Sequence, residues 1–138
     1  MKRPLLWIQL VLAAAVAIGV WLQVYLIASD QFGATDALDL HKTIGESMRG
    51  LEVLVFLAAL GAWWRNWGKI GHAFGLAAVG TIQISLTGGD EWVGGLHGLL
   101  ALAILTMAVF IVKDDAQALG LTRGRGGDAG TAPPQPLP

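Results

Sequence analysis

The stretch QISLTGGDEWVGGLH, residues 83–97, decides the fold, because residues 23–41 read as a diverged copy of it. Gln23, Leu26 and Asp30 recur at the same offsets as Gln83, Leu86 and Asp90, and the copies close on Leu40-His41 and Leu96-His97. Each copy also bridges the end of one apolar segment and the start of the next. The pattern is that of a duplicated antiparallel hairpin of apolar helices, with a histidine at each of the two corners on one side.

Upstream of the first corner, residues 5–28 carry no charged side chain. At 1.5 Å per residue that run crosses a hydrocarbon core of about 30 Å. Lys2 and Arg3 precede it as in a signal peptide, but the run outlasts an h-region and Leu26-Ile27-Ala28 lacks a small-x-small cleavage pattern. It is therefore helix 1, about 5–28. Asp30, Gly33, Asp36 and Asp39 mark a polar loop. Helix 2, about 40–64, has a charge-free part too short to cross a bilayer alone, so it must reach back to His41. That draws Glu46, Arg49 and Glu52 into the outer half of the membrane, where such groups face protein or water.

Helix 3, about 70–87, repeats small residues every fourth position (Gly71 and Gly75, Ala73 and Ala77), a spacing that lets helices approach closely in lipid. Helix 4, about 93–112, follows the second corner. From Lys113 the composition changes to a Gly-rich and then Pro-rich stretch that cannot bury enough apolar surface to fold. Residues 1–113 are thus expected to form one four-helix transmembrane domain and 114–138 a disordered cytoplasmic tail.

Composition agrees with a membrane protein: of 138 residues, 54 % are hydrophobic and only 14 % charged, with a mean hydropathy of +0.60. A net charge of -1 without a Lys/Arg-rich run gives no case for a nucleic-acid partner. Zero cysteines exclude disulfides, thiolate metal sites and haem attached through thioethers. Lys2, Arg3, Arg65, Lys69, Lys113, Arg123 and Arg125 fall on one side and Asp30, Asp36, Asp39, Asp90 and Glu91 on the other, with Lys42 the one base nearby. The positive-inside rule puts both termini in the cytoplasm of a membrane crossed several times. Trp7, Trp63, Trp64 and Trp67 then sit at the inner interface and Trp21, Tyr25 and Trp92 at the outer one.

In an up-down-up-down bundle, helices 2 and 4 lie on a diagonal, so His41 and His97 can point at each other across the interior. Two neutral imidazoles on opposite sides of an iron suit a six-coordinate b-type haem for electron transfer. Measured from His41 at 100° per residue, Gly45, Met48, Glu52 and Ala59 stay within about 40° of one face. His72, Leu76, Val79 and Gln83 line one face of helix 3, and Gln9, Val16 and Gln23 one face of helix 1. Arg49 and Lys42 are candidate partners for haem propionates, and Gln23 and Gln83 for hydrogen bonds to a ligand. Each has a plainer reading: solvated or loop-bonded histidines, Gln as interhelical glue, and Arg49 neutralised in a ladder with Glu46 and Glu52. His72 has no counterpart in helix 1 and reads as structural, and Asp30 and Asp90 as residues that end or cap helices. No P-loop, zincin, nucleophile elbow or dinucleotide fingerprint occurs.

The repeated cassette, Gln near the end of one helix and Leu-His opening the next, resembles one half of the haem A synthase family over about residues 5–112. It is also similar to a family of small four-helix bacterial membrane proteins with Leu-His at both corners. The resemblance implies a haem b held by His41 and His97 in a bacterial plasma membrane; one haem near one face cannot move electrons across the full membrane, so a redox partner is expected. The chain departs from the synthases in having one half, Lys42 after His41, and no upstream helix Glu, so oxidation of a haem methyl group is not implied. The expectation is a small cytochrome-like electron-transfer or haem-handling protein rather than an enzyme. The alternatives are a cofactor-free membrane subunit or adapter, and a small transporter or quinone-binding protein using Glu46, Arg49 and Glu52.

Overall fold

The computed structural model describes residues 2–86 and 91–122. They form four helices, α1 (Lys2–Gln31), α2 (Ala37–Ala62), α3 (Trp67–Ser85) and α4 (Glu91–Leu119), with no strand among the described residues. α1 packs on α2 and α4, and α3 packs on the same two, so α1 faces α3 and α2 faces α4 across the diagonals. The molecule is an all-α four-helix bundle.

The helices run past the edges of their apolar segments because caps and turns, not hydropathy, end them. α1 takes in Lys2 and Arg3, with Pro4 in the first turn, where its missing N–H costs nothing. It ends in a turn through Gly33, whose φ of 93° favours glycine and whose N–H donates to the Asp30 carbonyl at 2.9 Å. The loop expected over 29–39 is correspondingly short, and α2 begins at Ala37. Asn66 accepts the Lys69 N–H on its side chain at 3.3 Å and so starts α3 at Trp67 rather than near 70. Asp90, expected to cap α4, and the last expected residue of helix 3, Thr87, lie outside the described residues.

The largest difference is at the end of α4. Residues 114–119, whose composition assigns them to a tail, continue the helix. Leu119 packs with Leu6 and Ala62, Asp115 accepts a hydrogen bond from Trp63 Nε1 at 2.9 Å, and Asp114 pairs with Lys69. These contacts to α1, α2 and α3 give the segment the partners that its composition does not advertise. The rest of the expected tail, residues 123–138, lies outside the described residues.

Small side chains set the spacing of the core, which is built from Ala13, Val16, Met48, Val55, Ala59, Ala73, Leu76, Ile104 and Ala108. On α3 it is the Ala73–Ala77 side of the small-residue pattern that is buried, whereas Gly71 is exposed. Gly80 continues that side, and a Cβ there would collide with the Glu52 carboxylate of α2. Outside, large apolar side chains are exposed on all four helices, among them Ile18, Leu57, Phe74, Ile82, Leu99 and Leu102. α1, and α4 from Trp92 to Leu119, are long and apolar enough to cross a membrane.

Candidate functional site

The α2–α4 diagonal brings His41 and His97 together at one end of the bundle. Their ring centres are 6.2 Å apart and the ring planes cross at 61°. Both side chains are half-buried. Each ring is held by the backbone at the end of the preceding helix: His41 Nδ1 lies 3.2 Å from the Gln23 carbonyl and His97 Nδ1 3.2 Å from the Gln83 carbonyl. A carbonyl oxygen can only accept, so Nδ1 carries the hydrogen in both rings and Nε2 is left with its lone pair. This is the tautomer that a metal-ligating histidine adopts when a carbonyl orients it from behind.

The two glutamines complete the frame differently. Gln23 Nε2–H donates to the His41 carbonyl at 3.0 Å, which ties α1 to the start of α2. Its Oε1 is buried without a partner. Gly45, one turn beyond His41, leaves room for this amide, since a Cβ there would come within 2.9 Å of Gln23 Nε2. Gln83 Nε2 instead lies 3.4 Å from His97 Nε2, where its N–H can donate to the free lone pair. Any ligand taken up by His97 must therefore displace this amide.

Of the other expected site residues, Lys42 is exposed beside His41 and pairs loosely with Asp39 at 3.7 Å. Arg49 is exposed, about 12 Å further along the axis of α2 by helix rise. No ion pair joins it to Glu46 or Glu52 among the described residues, so the intrahelical ladder does not form. Glu52 turns inward instead and is 3 % exposed, with Oε2 lacking a partner. His72, on the expected face of α3, lies at the other end of the bundle with its ring edge toward Phe110.

Among the described residues no cluster of three or more His, Asp or Glu side chains could hold a metal ion. A facing pair of imidazoles suits a metal whose remaining ligands arrive with it, as the four ring nitrogens of a porphyrin do. Two imidazoles on opposite sides of one metal, with bonds of about 2 Å and each ring centre about 1 Å behind its nitrogen, have centres about 6 Å apart. The 6.2 Å spacing matches that separation and both Nδ1 atoms face carbonyls, while the rings meet edge to face and the Gln83 amide lies against His97 Nε2. Around His97, Cβ atoms added at Gly94 and Gly98 would meet nothing within 4 Å, so this face of α4 is open.

No protein-family model, curated protein or solved structure matches the chain.

What sequence reasoning missed lies at the opposite end. Gln9, Trp63, Lys69, His72, Asp114 and Asp115 line one small hollow there, with Ile111. Asp115 lies in the segment that composition assigns to the tail, and Trp63 reads as an interfacial aromatic, so the contact between them has no local signal.

Proposed function

We propose that the chain is a small b-type cytochrome-like membrane protein, in which His41 and His97 would hold one haem near the outer face. The observation that carries this reading is the facing histidine pair, 6.2 Å between centres, with both Nδ1 atoms turned to backbone carbonyls. When bound, the haem supplies a one-electron couple whose potential depends on its axial ligands and surroundings. The residues of this chain would supply its orientation: Gln23 and Gln83 fix the rings through their carbonyls, and Lys42 is the cation closest in sequence to a ligand, available to a propionate. Arg49, two turns deeper and without an ion pair among the described residues, is a second such cation.

The bilayer is part of the proposal. The exposed apolar side chains on all four helices, against buried Gln9, Glu52 and Asp115, support four crossings, and Lys2, Arg3, Arg65, Lys69 and Lys113 at the end away from the histidines support both termini inside. The matching Gln–His bonds at the two corners support descent of the two hairpins from one duplicated unit. A haem near one face needs a redox partner to pass electrons on, because it spans only part of the membrane.

A second reading is a cofactor-free membrane subunit, favoured by the Gln83 amide that already satisfies His97 Nε2. Haem added to the purified protein in detergent separates the two. The cytochrome reading expects saturation at one haem per chain with a Soret shift; the subunit reading expects no saturable binding.

A further inference from the structure

The end of the bundle away from the histidines holds an unmet charge. Asp115 is 0 % and Gln9 1 % exposed. The Oδ1 atom of Asp115 accepts from Trp63 Nε1 at 2.9 Å, but Oδ2 has no partner, and neither do the buried Gln9 Oε1 and His72 Nε2. All three residues line the same hollow, which is too narrow to seat a water molecule. The charged groups at this end are Lys2 and Arg3 on α1, Arg65 before α3, Lys69 on α3, and Lys113 and Asp114 on α4. Lys69 is committed to Asp114 and lies over the Trp63 ring. α2 contributes only Trp63 to the hollow. An ionised Asp115 would therefore be a buried charge with one hydrogen-bond donor, and the cation nearest to it, Lys69, is already paired with Asp114, an arrangement that proteins avoid.

We propose that this hollow is a proton-binding site, with one proton on Asp115 Oδ2 and the buried Gln9 Oε1 as its acceptor. The proton turns Oδ2 from an unmatched acceptor into a donor, in a hollow that also holds the unpartnered Gln9 Oε1. It also removes the net charge from the pocket. Because Asp115, Asp114 and Leu119 together hold the last turns of α4 on the bundle, loss of the proton loosens them. The inner end of α4 is thus docked when the site is loaded and released as pH rises. This site is independent of haem binding.

The test is infrared difference spectroscopy of the full chain in detergent across a pH series, with amide hydrogen exchange of residues 113–122 expressed as protection factors. Glu52→Gln removes the other buried carboxyl as a source of signal. The expected result is a protonated-carboxyl band that survives Glu52→Gln, is absent when Asp115→Asn is added to Glu52→Gln, and fades reversibly as pH rises. Protection at the end of α4 should fall about ten-fold with it. In Asp115→Asn, where the amide supplies a permanent N–H, protection should not change with pH. A band lost in Glu52→Gln, a band persisting in the Glu52→Gln, Asp115→Asn double variant, or protection indifferent to pH in the wild type would overturn the proposal. If Asp115→Asn does not fold, Gln9→Leu serves instead: weaker hydrogen bonding should move the band to higher frequency, and an unmoved band counts against the site.

Discussion

His41 and His97 sit on the two helices that do not pack on each other, yet their rings approach to 6.2 Å between centres. Each ring is turned by a carbonyl from the helix before it, Gln23 for one and Gln83 for the other. A closed bundle ordinarily fills its diagonal with apolar side chains; here two orientated imidazoles occupy it. The two corners differ in one respect, the Gln83 amide on His97 Nε2.

That difference predicts a gain of function. Gln83→Leu removes a donor that competes for the His97 lone pair while leaving the Gln83 backbone carbonyl in place. A net hydrogen bond of about 1 kcal/mol corresponds to roughly five-fold tighter haem binding. Haem titration of wild type and variant checks this, and weaker binding by the variant would mean that the amide helps to hold the ligand.

Gly80 and Glu52 form a size-coupled pair. Gly80→Ala drives a Cβ into the Glu52 carboxylate and should cost about 1–3 kcal/mol, as overpacking does. In a Glu52→Ala background the same substitution should cost much less, giving a coupling of about 1 kcal/mol or more in a double-mutant cycle. Thermal unfolding in detergent measures it; equal costs in both backgrounds would separate the two residues.

Trp63→Phe tests the docking of α4 without changing charge. It keeps most of the apolar area but removes the N–H that Asp115 Oδ1 accepts, at a cost of about 1–3 kcal/mol for a buried acceptor left bare. Lys69→Ala, whose ion pair is partly exposed, should cost no more than about 1 kcal/mol. Denaturation of the two variants side by side ranks the contacts.

The orientation is open to a direct test, because the chain has no native cysteine. Phe32→Cys, at an exposed position in the α1–α2 loop, should react with a membrane-impermeant maleimide on intact cells. Trp67→Cys, exposed at the start of α3, should react only after permeabilisation. The reverse pattern would invert the bundle, and equal labelling of both on intact cells would argue against a bilayer-spanning chain.

The diagonal meeting of His41 and His97 was legible in sequence because the repeat places both at the same register of alternate helices. The buried stripe of Gln9, Val16, Met48 and Leu76 was legible from helical phase. Which atom holds each histidine was not, since every residue offers the same carbonyl and only the turn decides which one faces the ring. Arg49 at three-residue spacing from Glu46 and Glu52 suggests a ladder, but Glu52 shares the buried face of Met48 and Val55 and follows it inward. The Gly80 notch then receives its carboxylate. Asp115 was hidden for another reason: a polar segment reads as tail until the surfaces of three other helices are there to meet it.

The measurement that tests the central claim most directly is an absorption spectrum of the detergent-purified protein, oxidised and dithionite-reduced, beside His41→Ala and His97→Ala. The cytochrome reading predicts a sharp Soret band in the wild type and split visible bands on reduction, both lost in each variant. A wild type that is colourless as purified and remains so after haem is added, with variants that behave identically, would contradict it.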